Sequence, residues 1–549
     1  MPCTERPDTC TCTFTKMMNK FKKLSSLFLI VFMSVKAFSQ YGQMPPFSIS
    51  IEAITGTMIP GVHSFAFAQS GDKWLIIGGR TNGLHGVNSN DGFPAEFKND
   101  NVIVIDTTTW TAYTADLNQL PWNIADPMRS TNMEYVRDGD YLYMAGGFGF
   151  DSVASIYVTF PKLTAVHIDN MINAVINAQP IAPYIRQVSD TNLAVCGGDL
   201  GKIGNDYYLC FGHNFGGRYS DPPTPLFTQQ YTERIKKFNL TDDGTTITLN
   251  NYTYLTDTNN FHRRDLNVGP IVQPDGSFAL EAYGGVFQKT QNLPFREPIT
   301  ITSAGTNVNM AYQQVMSHYT CANIPVFDSL SGSMYSTFLG GISLYDYSTV
   351  TGLVAMDTLV PFINDITTMT THSSGMVEEA VLPVQLPGLL GSNAKFVLNE
   401  NIAHYANEVI HIRNLPNTRV LAGYMLGGIR AQQGNFGASA ANDTIYRIYI
   451  TPNNVPIGID ELSGIQNTSL FPNPSSQSST LAFSLRNTEY VKVSLCDLTG
   501  KEIMKVAEEE MQKGNRQVLI NTSRLPGGVY FCNIESVSGK KVLKVVVSR

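Results

Sequence analysis

The chain has 549 residues, 43% of them hydrophobic and 15% charged, and 38 Lys and Arg against 45 Asp and Glu leave a formal charge of −7 at pH 7. An acidic chain is poorly suited to nonspecific nucleic-acid binding, which needs Lys and Arg to neutralise phosphates, or to an anionic membrane face. Beyond an apolar run near the start, no stretch reaches the ~18 apolar residues of a spanning helix, so no transmembrane segment is expected.

The first element is a targeting signal. Lys20, Lys22 and Lys23 form a basic flank, Leu24 to Val35 is apolar, and Ala37-Phe38-Ser39 offers small residues before Gln40. That is the layout of a signal peptide over residues 17–39. Residues 1–16 carry Cys3, Cys10 and Cys12 and no apolar face, and are read as a start-site artefact, with Met17 or Met18 the better start. Beyond residue 40 the chain holds 32 basic and 43 acidic residues, a balance near −11. Its only cysteines there are Cys196, Cys210, Cys321, Cys496 and Cys532. An odd number leaves at least one thiol unpaired. A Cys196–Cys210 bridge between neighbouring strands stays open. No Cys or His cluster has zinc spacing.

Residues 47–450 show short apolar runs separated by turn residues, an all-β pattern. Met171 to Ala178 is an exception, with Ile172, Val175 and Ile176 on one helical face. A repeat runs through the region. Trp74-Leu75-Ile76-Ile77-Gly78-Gly79 recurs at Tyr141 to Gly147, Phe278 to Gly285, Tyr335 to Gly341 and Val420 to Gly428. A sixth copy, Tyr207 to His213, reads as having His213 in place of its second glycine. Polar turns such as Ser70-Gly71-Asp72 and Asp138-Gly139-Asp140 precede most copies and predict hairpins. Third strands are expected at Asn101 to Asp106, Ile235 to Leu240 and Thr444 to Ile450. The order strand, turn, strand, diglycine, loop, strand resembles the kelch repeat. The resemblance implies a β-propeller of six blades over residues 47–450, its long repeat spacing taken up by loop. Phe47 to Ile54 alternates and is expected to latch beside Tyr446 to Ile450, because an open edge invites aggregation.

Polar residues cluster after the diglycine strands. Arg80, His85, His213, Arg218, Arg264 and Arg430 are the candidate ligand-binding residues. Converging guanidinium forks would suit a carboxylate, as in an acidic sugar or acidic peptide; pairing with local Asp and carbonyl groups is the competing reading. The chain has no Gly-x-Ser-x-Gly elbow, no His-Glu-x-x-His and no P-loop. No catalytic residue, metal or cofactor is assigned. Four Asp-Ser/Thr-apolar triplets, at Asp151, Asp328, Asp357 and Asp443, resemble O-glycosylation acceptors of Bacteroidota.

Asn453, Asn454, Pro456 and Gly458 suggest a linker over residues 451–465. Leu481, Phe483 and Leu485, then Val491, Val493 and Leu495, alternate with polar residues, and Val542, Val545 and Val547 mark a last strand. Asp497 to Gly500 and Pro526-Gly527-Gly528 are turns. The motifs Pro472-Asn473-Pro474, Asp497-x-x-Gly500 and Gly528-Val529-Tyr530, in that order, resemble the C-terminal sorting domain of the type IX secretion system of Bacteroidota, over residues 466–549. The resemblance implies a small β-sandwich, handling by the type IX machinery, and a secreted or cell-surface product after export to the periplasm.

The expected protein is therefore all-β, a six-bladed kelch-like propeller followed by a small sorting domain. Its expected role is to bind an extracellular glycan or protein. A sugar-acting enzyme of mutarotase type, or a structural adhesin, is the alternative. No nucleic-acid partner is expected.

Overall fold

The computed structural model describes residues 42–548, except 57–58, 87–91, 220–226, 436, 454–464, 486, 499 and 538. The start-site segment, the signal peptide and most of the linker lie outside the described residues. The chain packs as two units, one ending at Pro452 and one beginning at Asn453.

The first unit is propeller-like. Six antiparallel sheets follow one another along residues 66–116, 134–189, 199–256, 267–308, 322–385 and 394–452, the last completed by Phe47–Ala53. Each has four strands, and the fifth gains Ile410–His411, parallel to Ala322–Asp328. The first strands of successive sheets lie side by side from the first sheet to the sixth, and Gln69 of the first sheet donates to Leu398 O of the sixth, so these are the inner strands. The latch is present: Phe47 pairs with Pro452 and Ala53 with Tyr446, antiparallel.

Each repeat copy is the second strand of its sheet. Trp74, Leu75, Ile76 and Ile77 are all buried. The run is continuously apolar because neighbouring sheets cover both faces of a middle strand, and period-2 alternation appears only where one face meets water. Each such buried side chain contributes about 1.5–3 kcal/mol.

The diglycines join the sheets to one another. The N–H groups of Gly79, Gly147, Gly212, Gly285, Gly341 and Gly428 donate to the carbonyls of Ser130, Val195, Arg263, His318, Leu390 and Val62, at 2.7–3.0 Å. Each acceptor lies on the segment entering the next sheet, and Val62 returns the series to the first. The preceding glycine has no room for a side chain. A Cβ built on Gly78, Gly146, Gly284, Gly340 or Gly427 would stand 2.0–2.7 Å from a carbonyl of the next sheet, and all five have φ of 60–72°.

Two expectations change. In the third sheet the left-handed pair is Phe211 (φ 59°) and Gly212 (φ 75°). The first glycine of the pair is therefore the one replaced, and His213 follows the pair as Arg80 and Phe148 do. Phe211 fits because its ring packs edge-on against Phe261, 5.2 Å away. The long repeat spacing, expected as loop, is partly built. Hairpins pair Phe148–Asp151 with Ile156–Thr159, His213–Gly217 with Phe227–Tyr231, Tyr345–Ser348 with Leu353–Met356, and Ile429–Ala431 with Ser439–Ala441. Two helices also occur. Ile168–Ile176 buries Ile168, Met171, Ile172 and Val175, and Trp122–Met128 had no clear periodic signal.

The second unit has two sheets over one core. Ile465–Phe471, Ser478–Leu485 and Gly514–Asn521 form one; Glu502–Met511, Glu489–Cys496, Gly528–Ser536 and Gly539–Val547 form the other. Leu481, Phe483, Leu485, Val491, Val493 and Leu495 are buried as expected, but Val542 is 54% exposed. Val542 has the wrong parity for the core face of Val545 and Val547, and Leu543 packs there instead. Gly500 has φ 84°, and its N–H donates to the carbonyl of Asp497 in the turn. The Tyr530 hydroxyl donates to the Pro526 carbonyl across the turn that holds Gly528. The side chain of Asn473, between Pro472 and Pro474, clamps the last strand, donating to Lys544 O at 2.8 Å and accepting from Val546 N at 2.7 Å.

Two outcomes test these joints. Gly146→Ala is expected to destabilise the first unit by about 3 kcal/mol or more, adding a backbone clash to left-handed strain. Gly139→Ala, also left-handed but with open space around it, costs only about 1 kcal/mol; unfolding midpoints of the two variants give the comparison. Asn473→Ala leaves the Val546 amide without its acceptor and is expected to cost about 1–3 kcal/mol in the second unit, read as earlier exchange of the Gly539–Val547 amides.

Candidate binding face and central channel

The segments entering the inner strands meet around the propeller axis. Asn132 N donates to Ser64 O, Gly197 N to Asn132 O, Asp265 N to Gly197 O, Thr320 N to Asp265 O, and Asn393 N to Thr320 O, at 2.7–3.1 Å. Ser64, Asn132, Gly197, Asp265 and Asn393 all have positive φ. Asn, Asp and Gly tolerate that region best. All six sheets thus contribute to the lining of a central channel.

Glu134, Tyr135, Asp199 and Lys395 are among the polar side chains that line this channel. Glu134 is 2% exposed; its Oε1 accepts Gly198 N at 2.7 Å, and its Oε2 has no protein partner among the described residues. Burial raises its carboxyl well above the ordinary range, and nearby Asp199 adds to the rise. Burial pushes Asp199 up to about 6, against the pull of Lys395. Lys395 places its ammonium 4.9 Å from the Tyr135 ring centroid. Burial alone would lower the Lys395 ammonium, but Tyr135 and Asp199 outweigh it and the net shift is upward. Sequence reading missed these residues. Their signal is positional: Glu134 and Asn267 both open inner strands, and each accepts an N–H from the chain entering the next sheet, Gly198 N and Cys321 N.

At the diglycine end, five of the six candidate residues share one aromatic cluster. Arg80 is 6% exposed, donating through Nε to Asn82 and through Nη2 to Pro94 O at 2.7 Å, with its guanidinium 5.6 Å from the Phe93 ring. Burial lowers its pKa to about 10, so it keeps its charge at neutral pH. His85 packs against both Phe93, at 4.0 Å, and Tyr219, at 5.3 Å, and those two rings also meet each other at 5.8 Å. Burial pushes His85 down to about 4. Burial likewise holds His213 well below the ordinary range, with Arg264 adding to the effect; its Nδ1 lies 2.7 Å from Gln229. Both imidazoles are therefore neutral at pH 7. Arg218 lies over Tyr157 at 5.2 Å.

Arg264 bonds to Asp265 and, through Nε, to the Tyr231 hydroxyl at 3.1 Å. Burial alone would lower its pKa, but Asp265 and the surrounding phenols outweigh it and hold it raised. Arg430 is apart. Its hairpin abuts the loop carrying Arg80 and His85, with Leu84 N donating to Ser439 Oγ at 2.9 Å, yet its side chain is half-exposed and lies 4.0 Å from Asp443. Arg80, Arg264 and Arg430 thus each face a local acceptor or carboxylate, which weakens the reading of forks converging on one carboxylate.

Among the described residues no cysteine offers an accessible nucleophile. Cys196, Cys210, Cys321, Cys496 and Cys532 are free and buried, so Cys196 and Cys210 are not bridged. Among the described residues no group of three or more His, Cys, Asp or Glu is placed to hold a metal ion. No described helix is long and apolar enough to cross a membrane.

Residues 469–548 match the family model of the secretion system C-terminal sorting domain. The C-terminal unit is a type IX sorting domain, and the chain carries the signal for export to the cell surface or the medium. Comparison with curated proteins finds no match. Three solved structures are similar at 10% identity. A fungal alcohol oxidase of the AA5 family in complex with copper is matched over 91% of this chain and 100% of that one, with a TM-score of 0.35. YjhT is matched over 72% and 98%, at 0.38. PorZ, a surface component of the type-IX secretion system of Porphyromonas gingivalis, is matched over 90% and 100%, at 0.13. Likenesses this weak carry no argument about this chain.

The channel carboxylates give a pH test. A carboxyl raised in the folded state contributes stability fully present below its unfolded pKa and lost as pH rises through its folded pKa. Glu134→Gln keeps an acceptor for Gly198 N and never ionises. It is expected to melt within a few degrees of the parent at pH 5, and progressively above it towards pH 9, in paired thermal scans.

Proposed function

We propose that the chain is a cargo protein of the type IX secretion system of Bacteroidota, exported by a signal peptide over residues 17–39, whose six-bladed, kelch-like propeller binds an extracellular glycan through its diglycine end. The domain division is a propeller over residues 47–450, a linker over 451–465 and a sorting domain over 466–549. One observation carries the binding reading: Arg80, His85, His213, Arg218 and Arg264 share a half-buried aromatic surface built from Phe93, Tyr157, Tyr219 and Tyr231. Rigid aromatic faces beside fixed planar polar groups suit sugars, whose C–H faces stack while their hydroxyls hydrogen-bond. The neutral His85 ring extends the aromatic cluster without adding charge. The proposal is of binding, with no catalytic role assigned.

Two measurements test it. Deleting residues 466–549 is expected to leave the propeller in the periplasm; a truncated chain that still reaches the medium defeats the cargo reading. The full chain on an array of immobilised glycans is expected to retain at least one class of oligosaccharide. Retention of none defeats the glycan reading in favour of a protein-binding or structural surface.

A further inference from the structure

The axial channel is closely bounded. At the diglycine end Asn132 and Asp265, from the chains entering the second and fourth sheets, reach each other, with Asn132 Nδ2 donating to Asp265 Oδ1 at 3.1 Å. The opposite end is crossed by the segment between Leu398 and Val420, which joins the first two strands of the sixth sheet. Glu400 meets Arg137 of the second sheet at 2.9 Å, Asn407 Nδ2 donates to Ile271 O of the fourth at 3.1 Å, and Ile410–His411 lies beside Ala322–Asp328 of the fifth. Between these ends the cavity measures about 40 Å³.

That size limits what it can hold. A buried water needs about 10–15 Å³ and two to four polar partners, so the space takes about three water molecules and is far too small for a sugar ring.

The polar groups on its wall do not satisfy one another. Tyr135, Asp199 and Lys395 line the cavity and are only partly covered by protein. Lys395 reaches over the Tyr135 ring, its ammonium 4.9 Å from the centroid. Burial works against the charges of Asp199 and Lys395, and each acts on the other to oppose it. Yet among the described residues no ion pair or side-chain hydrogen bond joins the two. An ammonium carries three N–H donors and a carboxylate about four acceptor sites, and such groups are rarely left unmet inside a protein. Charged groups that act on each other from beyond hydrogen-bond reach are commonly bridged by water.

Ions suit the cavity less well. A cation would stand beside the Lys395 ammonium and an anion beside the Asp199 carboxylate, so either meets repulsion at short range for the attraction it gains. Water both donates and accepts, and meets both groups at once.

We infer that the cavity is a water site, in which a cluster of about three ordered molecules bridges the Asp199 carboxylate, the Lys395 ammonium and the Tyr135 hydroxyl. The site is independent of the glycan reading, and a water-filled channel leaves the loops of the diglycine end as the surface on which a sugar is held.

Two measurements test it. Crystals of the full chain grown in rubidium bromide, ordered well enough to show solvent, are expected to hold about three solvent peaks in the cavity, with no anomalous signal from either ion. An anomalous peak there makes the occupant an ion and overturns the inference, and so does a cavity without solvent peaks. In solution, magnetic relaxation dispersion of water counts the molecules held inside the protein. Lys395→Met keeps the length of the stem and removes the ammonium, and is expected to hold at least one fewer than the parent. Asp199→Asn keeps polar atoms at the same place and is expected to hold the same number. Equal counts in Lys395→Met and the parent overturn the inference.

Discussion

One hydrogen bond, made six times, holds the first unit together. The amide that closes each second strand donates to the carbonyl of the chain entering the next sheet, and the sixth returns to the first through Val62. Both groups are backbone and both are hidden from water, where an unmet donor costs about 1–3 kcal/mol. The bond forms only if the two chains come close, and at five of the six junctions a Cβ on the first residue of the pair would stand in the way. At the sixth, Phe211 takes the left-handed conformation with its side chain in place and the bond from Gly212 still forms. A second set of backbone hydrogen bonds, from Ser64 round to Asn393, ties the inner ends together around the axis. The outer strand Phe47–Ala53 then covers the edge of the last sheet.

This arrangement concentrates freedom at one end. The chain leaves each diglycine pointing away from the tightly bonded junction, and most of the insertions emerge there: the four hairpins and the loops carrying Arg80, His85 and Arg264. The scaffold is rigid, so the loops can vary in length and content without disturbing the sheets. The same end therefore gathers the aromatic surface and the planar polar groups. Its charges are matched locally, Arg264 with Asp265 and Arg129 with Asp100 and Asp126. Buried or half-buried charges persist only when paired. That rule ties Arg264 and Arg129 to carboxylates of their own neighbourhood, so these two are not free forks.

No disulfide contributes, since the five described cysteines are free and buried. Cohesion rests on apolar packing between sheets, on the closed set of six diglycine bonds and on the five bonds that run from Ser64 round to Asn393. The channel carboxylates work against it at high pH, since Glu134 and Asp199 are both raised by burial. Glu134 nonetheless accepts the Gly198 amide through Oε1.

Much of the fold was legible in the chain alone. An apolar run ending in diglycine is a middle strand with both faces covered, and its recurrence betrays repetition without any knowledge of the fold. The latch strand could be read from its alternation, and the sorting domain from motifs whose turns and strands follow one another locally. Three things were hidden. His213 looked like a substituted glycine because sequence spacing cannot show which two residues take left-handed φ; Phe211 does so because Phe261, 50 positions on, gives its ring a place to pack. Val542 marks the last strand as expected but lies on its outer face, because its parity differs from that of Val545 and Val547. For the arginines the sequence left convergence and local pairing both open, and the fold brings Arg264 to Asp265, Arg80 to Asn82 and Pro94 O, and Arg430 within 4.0 Å of Asp443. Local periodicity depends on neighbours a few residues away, and sequence determines it. Which charge faces which carboxylate, and which polar groups line the axis, depends on closure of the whole ring, and only the tertiary structure decides that.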